Sequence, residues 1–184
     1  LKNEGRLLPL DPQHTPRIAV IGRLANTPNI GDHGSSMVRP PYVVTVLQGL
    51  QQAIQGKGRV TFDVHTSRPS AVEAARRADV AIVVAGHTAR DEGENMPWVG
   101  GDRKRLRLAS HDEELIRAVA EANPCTVVVL MGGGPIICES WRTQVAAILM
   151  AWYPGMEGGH AIADVLLGNV NPSAKLPCVW PADE

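Results

Sequence analysis

Between Gly86 and Arg103 the chain reads Gly-His-Thr-Ala-Arg-Asp-Glu-Gly-Glu-Asn-Met-Pro-Trp-Val-Gly-Gly-Asp-Arg, which puts three carboxylates, Asp91, Glu92 and Glu94, within four residues. Gly93 lets the chain turn sharply between them. Crowded carboxylates raise one another's pKa, and desolvation by a neighbour such as Trp98 adds to the effect. A carboxyl that stays protonated near neutral pH is what a general acid requires. The plainer reading of the same residues is a solvated acidic loop, loosely holding a cation.

A second stretch, Gly31-Asp32-His33-Gly34-Ser35-Ser36-Met37-Val38-Arg39-Pro40-Pro41, offers an Asp, a His and two hydroxyls to a polyhydroxylated ligand. Those residue types also make a hydrolase triad, but all of them sit in one short loop. Neither Ser lies in a G-x-S-x-G nucleophile elbow, so a well-bonded structural loop is the stronger competitor. Cys125, Cys138 and Cys178 form no CxxC pair and read as small buried hydrophobes rather than zinc ligands or a disulfide framework. His14, His65, His111 and His160 lack ligand spacing and read as surface or capping residues. No cofactor and no catalytic metal are implied.

These loops need a frame. Short apolar, β-branched runs closed by Gly or a polar break mark strands at 17–21, 60–64, 80–85, 126–131 and 146–152. Three of them are apolar nearly throughout, as central parallel strands covered on both faces are. Helical spacing of apolar residues falls at 45–54, 70–78, from Ser110 onward, and at 159–167. Ser110-x-x-Glu113 has the form of a capping box, Asn123-Pro124 ends that helix, and Gly168-Asn169 ends the last one. The alternation predicts an α/β fold: a doubly wound, mostly parallel sheet of five to six strands flanked by helices, an α/β sandwich. The connections 26–42 and 87–110 are too long for simple links. Both follow strands, so both belong at the carboxyl edge of the sheet, where such folds bind ligands.

Bulk properties narrow the partners. The 184 residues are 44% hydrophobic and 20% charged, which fits a soluble domain large enough for a real core. Basic and acidic residues, 18 against 19, leave no footprint for nucleic acid or an anionic membrane. No apolar run approaches the ~20 residues needed to span a bilayer. Nucleotide binding is the remaining rival for an α/β chain. Gly22-Arg23-Leu24-Ala25 lacks G-x-G-x-x-G, no acidic residue is expected to close the next strand, and Gly132-Gly133-Gly134-Pro135 lacks the Lys-Ser/Thr of a phosphate loop. The chain opens at Leu1-Lys2-Asn3 with no initiator Met and no signal peptide; if it is an excised piece, that absence says nothing of its parent's compartment, which stays open among periplasm, exterior and cytoplasm.

Several phrases, in order, resemble the C-terminal domain of family 3 glycoside hydrolases. Leu1-Lys2-Asn3-Glu4-Gly5-Arg6-Leu7-Leu8-Pro9-Leu10 is similar to that family's inter-domain segment, and Arg17-Ile18-Ala19-Val20-Ile21-Gly22 to its first sandwich strand. Gly31-Asp32-His33-Gly34-Ser35-Ser36 with Pro40-Pro41-Tyr42 resembles a loop of its bacterial members. Ala78-Asp79-Val80-Ala81-Ile82-Val83, then Glu92-Gly93-Glu94 and Gly101-Asp102-Arg103, resembles a strand and its acidic loop. Ala151-Trp152-Tyr153-Pro154-Gly155-Met156-Glu157-Gly158-Gly159 and Asn171-Pro172-Ser173-Ala174-Lys175-Leu176-Pro177 resemble its two closing phrases.

The resemblance implies residues 1–16 as a linker from a missing N-terminal (β/α)-barrel and 17–184 as the family's C-terminal domain. It implies a retaining β-glycosidase, β-glucosidase-like, whose Asp nucleophile lies on the barrel and whose acid/base Glu comes from the acidic loop. Retention needs those carboxyls about 5–5.5 Å apart across the glycosidic oxygen. Family members most often place the acid/base directly before a Gly, which maps onto Glu92, with Glu94 the runner-up because loop lengths vary. Asp91, Asp102 and Arg103 are then expected to orient the loop or touch sugar hydroxyls, and Gly31 to Ser36, with Asp32 and Ser35, to line the pocket mouth. The implied partners are a β-glucoside or oligosaccharide and the barrel of the same protein. Members acting on N-acetylglucosaminides can draw the acid/base from the barrel, and the acidic loop here favours the glucosidase-like branch. The alternative is a non-catalytic carbohydrate-binding or structural module.

Overall fold

The apolar runs of the sequence form the middle of a six-stranded sheet in a computed structural model that describes residues 2–31, 33–63, 68–94 and 101–184. The strands are β1 (Lys2–Asn3), β2 (Arg17–Ile21), β3 (Arg59–Asp63), β4 (Val80–Gly86), β5 (Thr126–Met131) and β6 (Ala147–Trp152). Their order across the sheet is β1-β6-β5-β4-β2-β3, with every pairing parallel except β1 against β6. Helices α1 (Val46–Ala53), α2 (Arg68–Arg76), α3 (Ala89–Glu92), α4 (Ser110–Ala122) and α5 (Gly158–Leu167) fill the connections.

β4 and β5 are buried at every position because helices cover both faces. Alternate residues feed two cores. Ile21, Val83, Val128 and Leu130 meet α2 and α4 on one face, while Val20, Ile82, Val129 and Met131 meet α1 and α5 on the other. α1 and α5 approach closely enough that a Cβ on Gly49 would strike the Gly159 carbonyl. α1 starts with a capping box in which the Thr45 hydroxyl accepts from the Gln48 N–H and Gln48 Oε1 accepts from the Thr45 N–H.

Several expectations need correction. Ala109, not Ser110, caps α4, and it makes no side-chain cap bond. Glu113 is instead held by the Ser140 hydroxyl at 2.9 Å, with Arg107 and Arg117 nearby. α2 begins two residues earlier than the apolar spacing suggested. β3 ends on Asp63, so an acidic residue does close the second strand of the parallel set, and Val64 and His65 lie outside the described residues. Cys138 is buried, but Cys178 is exposed. Apart from these corrections, residues 2–16 of the expected linker pack against this domain: β1 pairs with Ala147 and Ile148, and Leu10 is 2% exposed with its N–H on the Leu166 carbonyl at 2.7 Å.

The strand order reverses between β2 and β4, the usual crevice for a ligand. Here it is filled from within. A Cβ on Gly22 (φ 107°) would sit 2.5 Å from the Val84 carbonyl oxygen. Arg23 Nη2 donates to the Gly86 carbonyl at 2.9 Å and lies 3.5 Å from buried Asp112.

Candidate active site at the carboxyl edge

The site lies one strand further along, where β4, β5 and β6 end together. After β4 the Thr88 side chain opens the single turn of α3, and the Asp91 carboxylate closes its capping box by accepting from the Thr88 N–H and hydroxyl at 2.8 and 2.9 Å. After β5 comes the exposed turn residue Gly133. β6 carries a bulge: Leu130 pairs with Met150 but Met131 with Trp152, leaving Ala151 as the extra residue. Trp152 then adopts φ 55°, a conformation that costs a bulky side chain about 1–3 kcal/mol. Bulges commonly re-aim a neighbouring side chain beside functional sites, and here the next residue, Tyr153, reaches the loop after β4.

These three ends converge on Glu92. One carboxylate oxygen accepts from the Gly133 N–H at 2.5 Å and from the Tyr153 hydroxyl at 2.6 Å. The other lies 3.2 Å from Arg103 Nε, and the two side chains are 7% and 15% exposed. Arg103 Nη2 also donates to the Pro135 carbonyl at 2.9 Å. Glu94, two residues on, is exposed, and its carboxylate accepts from the Ser35 hydroxyl. Gly34 lies against the same side chain, since a Cβ there would sit 2.8 Å from the Glu94 carboxyl carbon. The Asp102 N–H donates to the Gly93 carbonyl at 2.9 Å, which closes the base of the loop.

The three carboxylates therefore do not crowd one another. Successive residues of a helical turn point about 100° apart, and Asp91, Glu92 and Glu94 find separate partners at Thr88, at Gly133, Tyr153 and Arg103, and at Ser35. Asp102 is exposed at the cleft rim. Asp32 and Trp98 lie outside the described residues. The cleft itself has a volume of about 670 Å³ and is lined by Gly31, Ser36, Glu92, Asp102, Arg103 and Tyr153 among others. It joins both long loops, and buried Asn29 adds a second tie by donating to the His87 carbonyl at 2.8 Å.

Tyr153, Gly133 and His87 are members that residue-type reasoning missed. His87 and Tyr153 directly follow β4 and β6, and Gly133 comes two residues after β5, and that position is the signal the sequence contains. His87 is 7% exposed, and its Nε2 has no hydrogen-bond partner among the described residues. Burial pushes its pKa below the ordinary value, Arg103 adds to the shift, Glu92 and Asp91 oppose it, and Arg23 reinforces it.

Residues 1–184 all match the glycosyl hydrolase family 3 C-terminal domain. The chain is 34% identical to a β-xylosidase of Formosa agariphila, with all of this chain and 26% of that protein covered. It is 36% identical to an exo-α-(1→6)-L-arabinopyranosidase of Bifidobacterium longum, covering all of this chain and 25% of that one. The crystal structure of a family 3 β-glucosidase from Bifidobacterium adolescentis superposes with a TM-score of 0.86 at 34% identity, over the whole chain and 27% of that protein. The chain thus spans about a quarter of the length of the relatives it matches.

Proposed function

The chain belongs to the glycosyl hydrolase family 3 C-terminal domain family, and from that premise we propose that it supplies the general acid/base and part of the sugar pocket of a retaining β-glycosidase. The nucleophile comes from a barrel domain of the same protein. Within the acidic loop we assign the acid/base to Glu94, the runner-up of the sequence, and give Glu92 the task of anchoring the loop. The observation that carries this choice is the contrast between the two carboxylates. Glu92 is enclosed, with one oxygen accepting from the Gly133 N–H and the Tyr153 hydroxyl and the other paired with the Arg103 guanidinium, so both are already occupied within the chain. Glu94 is exposed at the loop base, with the Ser35 hydroxyl as its described partner, and is free to be covered by a facing domain. An acid/base must exchange its proton with substrate and water in turn, which the exposed group can do. The relatives' names span xylose, arabinose and glucose, so the sugar is left open.

The test is made in a polypeptide that carries both domains. Glu94→Gln is expected to slow glycosides with poor leaving groups by roughly 10²–10⁴-fold, and activated aryl glycosides far less. Equal losses on both substrate types would remove Glu94 from the role. The selective pattern appearing in Glu92→Gln instead would move the role there. A non-catalytic carbohydrate-binding or structural module draws support from the enclosure of Glu92, and it prevails if both variants keep full rates.

A further inference from the structure

Trp180 belongs to no strand or helix, yet it touches the segments that carry both hydrogen-bond donors of Glu92, Trp152 beside Tyr153 and Ile136 in the turn that follows Gly133. Its Nε1–H donates to the Ile136 carbonyl at 2.8 Å, three residues beyond Gly133 and one beyond the Pro135 carbonyl that receives Arg103. Its ring meets Trp152 edge-on, with centroids 6.1 Å apart and planes at 77°. Trp152 is the residue with the left-handed backbone, and Tyr153 follows it directly. A large side chain keeps such a conformation only where its surroundings over-determine it. The surroundings here include the bulge at Ala151, the Gly132 N–H on the Trp152 carbonyl at 3.3 Å, and the Trp180 ring.

We propose that Trp180 is a positioning residue for the acidic loop: by clamping Trp152 and Ile136 it sets the Tyr153 hydroxyl and the Gly133 amide on the Glu92 carboxylate. This rests on the proposed function only in calling that loop catalytic. The contact chain runs from the C-terminal segment through β6 to the loop after β4, and it joins parts of the chain that are nearly ninety residues apart (Trp180 and Glu92). The competing account is that Trp180 merely plugs the edge of the core beneath α4, against which both rings pack.

Hydrogen exchange at the Gly133 amide separates the two, because Gly133 lies in an exposed turn and the described protection of its N–H is the Glu92 bond. Glu92→Ala sets the unprotected limit. In folded Trp180→Ala, Gly133 is expected to lose about tenfold or more of its protection while amides within β4 and β5 change less than about twofold. Trp180→Phe, which keeps a ring against Trp152, restores most of it. If the alanine variant does not fold, Trp180→Leu is judged by the same criterion. Unchanged Gly133 protection, or a loss shared equally by β4 and β5, overturns the proposal. In the two-domain polypeptide the same variant is expected to lower kcat about tenfold with KM nearly unchanged, the pattern of an interaction made in the transition state. Loosening at Gly133 with an unmoved kcat would leave the clamp standing and count against the catalytic reading of the loop.

Discussion

Glu92 and Arg103 stand at the two ends of the acidic loop and meet as an ion pair, Oε1 to Nε 3.2 Å, in a nearly enclosed setting. A pair so placed is costly to break from one side, because the survivor is left charged and buried. Arg103→Met is therefore expected to destabilise the domain by about 3–5 kcal/mol. Adding Glu92→Gln in the same chain recovers part of that loss, since the two residues are in contact and their effects do not add. Urea unfolding of the two single variants and the double variant measures the coupling. Additive losses would mean that the pair contributes no more than its separate side chains.

The contact between α1 and α5 depends on two glycines. A Cβ on Gly49 meets the Gly159 carbonyl, and one on Gly159 meets the Thr45 carbonyl. Gly49→Ala raises intrinsic helix propensity but must push the helices apart, so a net loss of about 1–3 kcal/mol is expected. A variant as stable as the parent, by thermal and denaturant unfolding, would show that the helices separate freely.

His87 makes stability pH-dependent. Its folded-state pKa is lowered, mainly by burial and secondly by Arg103. The unfolded chain therefore takes up the proton first. Stability is full above the ordinary histidine value of about 6.5 and declines as pH falls below it towards the folded-state pKa. Carboxylates held below their usual range, such as Asp79 beside Arg17, keep their stabilisation through this window and lose it only at still lower pH. Comparing melting temperatures at pH 7.5 and 5.5 for the wild type and His87→Gln checks this. The wild type is expected to lose more on acidification, and equal losses would place the titration elsewhere.

The 184-residue chain by itself is expected to show no turnover of an aryl β-glucoside even at high protein concentration, because the proposed nucleophile lies on another domain. Sustained hydrolysis that co-purifies with the chain and disappears in a Glu94→Gln variant would mean that the chain carries its own nucleophile.

The sheet was legible because strands buried on both faces have to be apolar along their whole length, and β4 and β5 are. Helix α5 was legible from its spacing and from Gly168, which takes the left-handed stop at φ 78°. The cap of α4 was misread because Ser110 and Glu113 fit the local pattern, while tertiary partners, Ser140 and two arginines, claimed the glutamate. β1 escaped notice because two residues carry no periodicity. The acidic loop could be located from its composition, but the separate fates of Glu92 and Glu94 could not. Those depend on Gly133, Tyr153, Arg103 and Ser35, which three different connections bring to the same edge.

The bond from the Asp102 amide to the Gly93 carbonyl, backed by the Glu92–Arg103 pair, fastens the loop at its neck. Each end of the loop is thereby buckled to the other, so a change at Arg103 reaches Glu92 across the neck although eleven residues separate them along the chain.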